Sequence, residues 1–361
     1  MAITRIGNPA IADVRGVNFR NIIINGDMSV SQRSTSKSTS STGYHTIDRW
    51  NWQADYGTVT LSQSTDVPTG QGFAKSFKAD VTTAGTVGSG GTVVLRQKVE
   101  GQNLQYLKKG TSSAESLTCS FWIKSTKTGT YICELFDADN TRQISKAYTV
   151  SASDTWEKKI ITFAGDTSGA FDNDNANSLQ INWYLSAGSD YTSGTLSTTW
   201  TASTNANRAV GQVDAQDNTS NNIYLTGVQL EAGTTASDFE FLPVDCNLQR
   251  CKRYTHRING NATNDTVVAT CSMASTSQVR SPFMFPVTMR TSPSVTESDL
   301  EIQDDANSDT ASSLGLTFGA CDSSIALVIN ADSSSPFSSG ESGLVKINNT
   351  TSGFLMFDAE L

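Results

Sequence analysis

Apolar and polar residues alternate with a period of two in many separate segments of this chain, and this pattern constrains its fold more than any other feature. In residues 117–124, Leu, Cys, Phe and Ile alternate with Thr, Ser, Trp and Lys. Residues 179–186 alternate in the same way, with Leu, Ile, Trp and Leu against Gln, Asn, Tyr and Ser. Because successive side chains of a strand point to opposite faces, each segment predicts a strand with one buried and one solvated face.

Segments of this kind recur up to residue 232, and turn residues rather than helical segments separate them. This order excludes a parallel α/β fold, in which helices connect the strands. The composition agrees, because the chain has 47 Ser and 45 Thr in 361 residues and only 17% charged residues. Thr favours strands and Ser favours turns. We therefore predict an all-β protein in which residues 21–242 form an antiparallel jelly-roll β-sandwich.

The first 20 residues differ from the sandwich that follows them. They contain scattered Ile and Val, three Arg and one Pro, and they hold neither a helical nor a strand period for long. We predict that residues 1–20 form an extended N-terminal docking arm. A disordered terminus is the alternative, because chain ends are commonly poorly ordered.

A short helix is predicted after the sandwich, at residues 243–257. Pro243 suits the start of a helix, and Val244, Leu248 and Cys251 repeat at i, i+4 and i+7. Beyond this connector helix the chain is again rich in strand-forming segments, separated by Ser-rich loops. We predict a second, smaller β domain at residues 258–361, which is acidic.

Charge and composition exclude several classes of protein. The net charge is -9, and residues 261–361 alone hold twelve Asp or Glu against three Lys or Arg. An acidic surface disfavours nucleic acid, whose phosphates require basic partners. No apolar run approaches 18 residues, and the N-terminus lacks an apolar signal core, so we expect no membrane span and no ordinary secretory signal. The six Cys form no CxxC motif and are expected to be reduced thiols.

Aromatic residues on predicted wet faces or in loops are candidates for binding sugar rings, which stack on aromatic faces while polar neighbours bond their hydroxyls. Trp122 and Tyr184 lie on the polar faces of their segments, and Tyr191 and Trp200 lie in loops or near strand ends. Trp50 and Trp52 lie near a strand end as well. The alternative is that these rings cover the ends of the sandwich or an intersubunit surface.

No cofactor is predicted, with a structural Ca²⁺ as the open alternative. Asp172 and Asp174 lie in the segment FDNDNAN, whose dense side-chain oxygens suit a cation that takes six to eight oxygen ligands. The segment lacks the Gly and Glu of an EF-hand loop, so a polar turn is the simpler interpretation. The two Asp residues are therefore weak metal candidates.

The sequence offers little catalytic inventory, and we predict that the protein is not an enzyme. With only two His and no GxSxG elbow, a nucleophilic triad finds no support. A glycosidase needs two carboxylates about 5–10 Å apart, and Glu134, Asp137 and Asp139 are close in sequence. Glu134 and Asp137 would face opposite ways in a strand, and the two Asp residues fit a hairpin loop better.

An ordered series of motifs resembles a known family. NIIINGDMSVSQR, DRWNW, LRQKVEGQNLQYL, FWIKS, TWEKKIITFAGDTSG and YLTGVQLEAGTTASDFEFLP occur in this order, followed by CNLQRCKRYTHR, FPVTMRTSPSVT and FDAEL. The series resembles bacteriophage tail-fibre and appendage proteins, of the marine phage or cyanophage type, that carry a carbohydrate-binding-like jelly-roll module. The resemblance implies a virion structural protein, often trimeric, that contacts a host surface.

These observations together predict a non-enzymatic virion protein, a tail or head fibre that binds host surface glycans. The resemblance implies a homotrimer located in the virion, and residues 1–20 would dock on other virion proteins. A capsid decoration or tail-assembly component with a purely architectural role is the alternative. A polysaccharide-degrading enzyme is the third interpretation. Nucleic acid and membrane are not among the expected partners.

Overall fold

A computed structural model of the chain describes residues 19–305, 307–318, 321–332 and 337–361. The predicted docking arm, residues 1–20, lies outside the described residues except for its last two. Within the described ranges, no helix is both long and apolar enough to cross a membrane.

Twelve strands and one short helix lie between residues 36 and 232. They are β1 Ser36–Thr39, β2 Asn51–Ala54, β3 Thr58–Ser64, β4 Ser76–Thr83, β5 Thr92–Glu100, β6 Leu117–Ser125, β7 Gly129–Asp137, β8 Arg142–Val150, β9 Glu157–Phe163, β10 Asn177–Ala187, α1 Ser189–Thr192, β11 Thr201–Ala202 and β12 Asn222–Ala232.

These strands form two six-stranded sheets that pack face to face. The first sheet has the order β1-β3-β4-β12-β6-β9, and the second has the order β11-β8-β7-β10-β5-β2. Each pairing within the two sheets is antiparallel. The predicted fold class, an antiparallel jelly-roll β-sandwich followed by a short helix and more strands, is confirmed.

The core lies between the sheets and uses the apolar face that the alternation predicts. In β6, Cys119 and Phe121 are fully buried, and in β10 Trp183 is 1% exposed. The Trp183 ring lies 5.5 Å from that of Trp50 and 5.7 Å from that of Phe121, so aromatic rings from both sheets meet in the centre. Burying rings of this size stabilises each by roughly 1.5–3 kcal/mol over an exposed position.

The connector helix is shorter than predicted. Helix α2 spans Val244–Lys252, and strand β13 follows at Thr255–Asn259. The prediction of a helix through residue 257 was wrong for its last five residues, of which 253 and 254 form a turn and 255–257 begin β13. The predicted boundary between 257 and 258 therefore falls inside β13. Helical spacing of apolar residues stops at Cys251, and the next segment instead pairs along its whole length with a strand from the end of the chain.

The remaining strands form a second, smaller unit. They are β14 Thr266–Met273, β15 Gln278–Met284, β16 Ser294–Ser298, β17 Leu300–Gln303, β18 Ser308–Phe318, β19 Ser324–Ala331, β20 Ser342–Ile347 and β21 Phe354–Asp358. Strands β14, β15, β19, β18, β17 and β20 close into a barrel, and β13, β21 and β16 form a three-stranded sheet. The second β unit that the sequence predicts is therefore present.

The last residues of the chain return to the sandwich. The Glu360 carboxylate pairs with Arg49, which is 1% exposed, and with Arg33 at 3.4 Å. The carbonyl oxygen of Leu361 accepts hydrogen bonds from the Tyr44 hydroxyl at 2.9 Å and from the Lys98 ammonium at 2.7 Å. These polar contacts tie the chain end to the segment that precedes β2 and to β5.

Candidate functional site

A groove of about 220 Å³ lies on the outer face of the second sheet. Its floor comes from β2, β5, β10 and β7, which are adjacent in that sheet. These strands are distant in sequence, because the jelly-roll connections cross from one sheet to the other. The groove is lined by Gln53, Thr92, Val94, Arg96, Phe136, Gln180, Asn182, Tyr184, Tyr191 and Arg208.

The strand register places four polar side chains in one row across the floor. Asn182 is the pairing partner of Glu134 on one side and of Arg96 on the other, and Arg96 also pairs with Asn51. Directly opposite residues on a sheet have Cβ atoms about 4.5–5.5 Å apart, so these side chains are neighbours. Hydrogen bonds follow the row, from Asn182 Nδ2 to Glu134 Oε2 at 2.8 Å and from Arg96 Nε to Asn51 Oδ1 at 2.9 Å.

Aromatic and amide side chains flank this row. Tyr184 pairs with Val94 on one side of the row, and Phe136 pairs with Gln180 on the other side. The side chains of Phe136 and Gln180 are half-buried, so they present surface to the groove. The floor thus combines ring surface with amide and guanidinium groups.

The segment 188–213 forms one wall of the groove. It includes α1, and it is fixed to the sheet by hydrogen bonds from Ser145 N to Ser197 O at 2.7 Å and from Val213 N to Thr130 O at 2.9 Å. Ala209 of this segment is fully buried in a small apolar cluster with Ile132, Val94 and Tyr184. The wall therefore packs on part of the outer face of the sheet.

A buried ion pair joins the wall to the floor. Arg208 donates from Nε and Nη2 to the two oxygens of Glu134, both at 2.8 Å. The Glu134 side chain is fully buried, and that of Arg208 is 17% exposed. Burial acts to lower the pKa of Arg208, but the hydrogen bonds and charge of Glu134 outweigh it and raise that pKa. The pair holds the Arg208 guanidinium 4.8 Å from the Phe136 ring centroid.

Two of the four predicted sugar-binding aromatics lie in this groove. Tyr184 is in the floor and is 2% exposed, with its hydroxyl donating to Glu134 Oε2 at 3.3 Å. Burial, with the nearby Glu134 charge, raises the pKa of Tyr184 well above its usual value. Tyr191 is half-buried in α1 and lines the wall. Of the two rings, Tyr191 offers more surface to a ligand.

The other predicted aromatics lie elsewhere. Trp122 is half-buried in β6, in the first sheet, and so lies on the opposite side of the sandwich from the groove. Trp200 donates from Nε1 to Ala164 O at 2.7 Å and packs against the main core. Trp50 and Trp52 are 2% and 1% exposed in the core, so they form no binding surface. The structure does not bring these rings to the groove.

The weak metal candidates, Asp172 and Asp174, are exposed in the loop before β10. Asp172 N donates to Asp139 Oδ2 at 2.9 Å, and Asp174 Oδ1 accepts from Ala176 N at 2.9 Å. These contacts are those of a polar turn. Among the residues that the structure describes, no three or more His, Cys, Asp or Glu gather as metal ligands would.

The acidic residues weighed for glycoside hydrolysis occupy different environments. Glu134 is neutralised by Arg208, as described above. The Asp137 carboxylate pairs with the Lys109 ammonium at 2.5 Å, and both side chains are almost fully buried. Asp139 lies in the turn after β7. Each of the two buried carboxylates is thus engaged by a cation.

The residues that sequence reasoning missed are mostly the polar ones. Arg96, Asn182 and Gln180 lie on the polar faces of alternating segments, which the sequence does indicate. What it does not indicate is that β2, β5 and β10 are neighbours in one sheet. Arg208 follows a segment without strand period, so no sequence signal marks it as part of the site.

Comparison with known proteins gives no sequence relative. No protein-family model matches the chain, and no curated protein matches it.

Several solved structures are similar to part of it. One is the enzymatically active domain of tailspike protein 4 from bacteriophage CBA120, at 15% identity and a TM-score of 0.31, covering 59% of this chain and 22% of that one. Another is a carbohydrate-binding module of family 4, at 14% identity and a TM-score of 0.29, covering 58% of this chain and 97% of that one. A third is the family 11 carbohydrate-binding module of a cellulosomal cellulase from Clostridium thermocellum, at 14% identity and a TM-score of 0.27, covering 56% of this chain and 99% of that one. The alignment thus spans about a fifth of the tailspike chain. At such identities and TM-scores, these likenesses do not indicate function.

Proposed function

We propose that this protein is a non-enzymatic glycan-binding protein and that the groove on the second sheet is its binding site. The observation that carries the proposal is the pair of Asn182 and Arg96, which line the floor side by side with Glu134 and Asn51 buried at either end of their row, together with the rings of Phe136 and Tyr191 that line the same groove. Sugars present alternating apolar ring faces and hydroxyls, and a groove of ring surface with interspersed amide groups is complementary to both.

The floor of the groove lies on paired strands of the second sheet, and the segment 188–213 contributes Tyr191 and Arg208 beside it. A floor of this kind is held in place before a ligand arrives, which reduces the ordering cost of binding.

Binding of polysaccharides to the full chain tests the proposal. The probes are polygalacturonate, methyl-esterified pectin, dextran, dextran sulfate and barley β-glucan. The binding of each probe is measured by affinity electrophoresis and calorimetry. We expect at least one to bind, and Tyr191→Ala to weaken it about tenfold, since stacking on one aromatic ring contributes roughly 1–2 kcal/mol. Trp122→Ala is the matched control, because it removes a half-buried ring from the other sheet.

Two results would count against a glycan site in the groove. One is the failure of every polysaccharide in the panel to bind. The other is binding that Tyr191→Ala leaves intact while Trp122→Ala removes it, which would move the site to the outer face of the first sheet. Circular dichroism of both variants separates lost binding from lost folding.

We further propose that the protein is part of a bacteriophage virion, as a homotrimeric tail or head appendage. Support comes from the ordered series of short motifs that resembles phage appendage proteins. Three copies would present three grooves, and avidity would then raise weak single-site binding. Docking on the particle would use residues 1–20, with host surface glycan as the ligand.

Gold-labelled antibody against residues 259–361, imaged on native particles, tests this virion role. Label on tails or fibre tips is the expected result, and blocked adsorption would then connect the protein to host attachment. Label over the head together with normal adsorption would favour an architectural role in the capsid. Absence of label from all particles would refute the virion role and leave only a free glycan-binding protein.

The absence of enzymatic activity is also open to a direct test. Each polysaccharide of the panel is incubated with the protein, and newly formed reducing ends are measured. We expect no release, because Glu134 and Asp137 are both held in buried ion pairs. Release that Glu134→Ala or Asp137→Ala abolishes would overturn this part of the proposal.

A further inference from the structure

Arg96 lies in the middle of the groove floor with most of its hydrogen-bonding capacity unused. Its Nε donates to Asn51 Oδ1 at 2.9 Å, and its side chain is half-buried. It forms no ion pair with any carboxylate in the described ranges of the chain. The two terminal nitrogens of a guanidinium form a fork that suits an acidic group with two or more acceptor oxygens.

The charges around Arg96 do not compensate it. The buried carboxylate of Glu134 is already shared by both donor nitrogens of Arg208, Asn182 and Tyr184. Asp55, at the edge of the groove, accepts hydrogen bonds from the amide and hydroxyl of Thr92. Burial, together with the like charge of Arg208, lowers the pKa of Arg96. A partly desolvated cation of this kind gains free energy when an anion reaches it.

A second observation points to the same place. Asn182 is 2% exposed and lines the groove next to Arg96 in the strand register. Its Nδ2 is committed to Glu134, while its Oδ1 is buried and accepts no hydrogen bond from the part of the chain that is described. An unpaired buried acceptor costs roughly 1–3 kcal/mol, and a hydroxyl donor from a ligand would remove that cost.

We propose that the groove selects acidic saccharides, in which a carboxylate or a sulfate ester pairs with Arg96 and a neighbouring hydroxyl donates to Asn182. This inference rests on the proposed glycan-binding function and adds the chemical class of the sugar. Carboxylate and sulfate share the chemistry that Arg96 recognises, namely a compact anion with several acceptor oxygens. The bidentate geometry of the guanidinium favours either over a neutral hydroxyl.

Pairs of polymers that differ only in charge test the proposal on the full-length protein. Polygalacturonate is compared with methyl-esterified pectin, and dextran sulfate with dextran, so the two arms also separate carboxylate from sulfate. We expect the preferred acidic polymer to bind at least tenfold more tightly than its neutral partner. Arg96→Gln should abolish that preference, and Arg96→Lys should retain part of it, because Lys keeps the charge and loses the fork.

Lys158→Gln is the matched charge control, since Lys158 is an exposed cation in β9 of the other sheet. It removes the same charge from the chain and should leave the preference unchanged. Equal loss in both variants would mean that net charge, not the groove, attracts the polymer, and would overturn the proposal. Neutral polymers that bind as tightly as their acidic partners, in a manner sensitive to Tyr191→Ala, would overturn the acidic selectivity and leave glycan binding standing. If no polymer binds, both proposals fail together.

Discussion

Replacing Glu134 by Gln tests whether the buried ion pair holds the groove together. The change keeps the size of the side chain and removes its charge. In the native protein, the Glu134 carboxylate accepts from Arg208 twice and from Asn182 once, all at 2.8 Å, and from Tyr184 at 3.3 Å. A Gln side chain has one acceptor oxygen, and its NH₂ group would face a donor. Arg208 would then remain mostly buried without a counter-charge.

The expected cost follows from that arrangement. Removing one partner of a buried pair typically destabilises a protein by about 3–5 kcal/mol, because the remaining charge is uncompensated. We expect Glu134→Gln to fall in this range. As a matched control, Asp217→Asn breaks a partly exposed pair, in which Lys127 lies 2.5 Å from Asp217 and the side chains are 34% and 40% exposed. Such pairs contribute about 0–1 kcal/mol.

Urea unfolding followed by tryptophan fluorescence measures both variants. All six Trp lie between residues 50 and 200, so the signal reports the sandwich and not the barrel. The double variant Glu134→Gln/Arg208→Met should lose less stability than the two single variants summed, because removing both charges leaves none unpaired. A cost below about 1 kcal/mol for Glu134→Gln, equal to the control, would refute the reasoning.

Three further predictions concern other parts of the molecule. Burial lowers the pKa of His256 to about 4. As pH falls below 6.5, this side chain therefore takes up a proton in the unfolded chain but not in the folded chain, which favours unfolding. We therefore expect the free energy of unfolding of the native protein to fall as pH drops from 6.5 to 4. Urea unfolding should show that this free energy falls by about 2–3 kcal/mol less in His256→Phe over the same range. Deleting Glu360 and Leu361 leaves Arg49 without the anion that it contacts. Urea unfolding should show that the free energy of unfolding falls by about 3–5 kcal/mol. An unchanged free energy of unfolding would contradict the docking of the chain end. Hydrogen bonds from Ser residues lower the pKa of the exposed Cys321 thiol to about 7. Mass spectrometry after brief iodoacetamide treatment at pH 7 should therefore find Cys321 alkylated before any of the three fully buried thiols, and simultaneous labelling would contradict it.

The two-residue alternation predicts which face of a strand a site residue lies on, but it does not predict which sheet that strand joins. Alternation correctly places Tyr184 on the outer face of β10, because side-chain direction in a strand depends only on local geometry. It places Trp122 on an outer face equally correctly, yet that face belongs to the other sheet. Trp50 and Trp52 were mistaken for surface residues, because the short segment that holds them carries too few residues to show which face is buried.

The helix prediction was wrong for a related reason. Residues 255–257 come shortly after the helical repeat that ends at Cys251 and were included in the predicted helix, but they become the first residues of β13. Their partner is β21, some hundred residues further on, and its pairing outweighs a local preference of a few tenths of a kcal/mol per residue. The local sequence does not indicate which distant strand a segment will pair with.

The sequence by itself determined the all-β class and the inward face of the clearly alternating strands, such as β6 and β10, since both follow from a two-residue repeat that is local. Only the tertiary structure decided that β2, β5, β10 and β7 are neighbours and that Asn51, Arg96, Asn182 and Glu134 form one row. It also decided that Arg208 reaches Glu134 from 74 residues away. Strand order depends on which of many compatible pairings buries the core best, and that choice is a property of the whole chain.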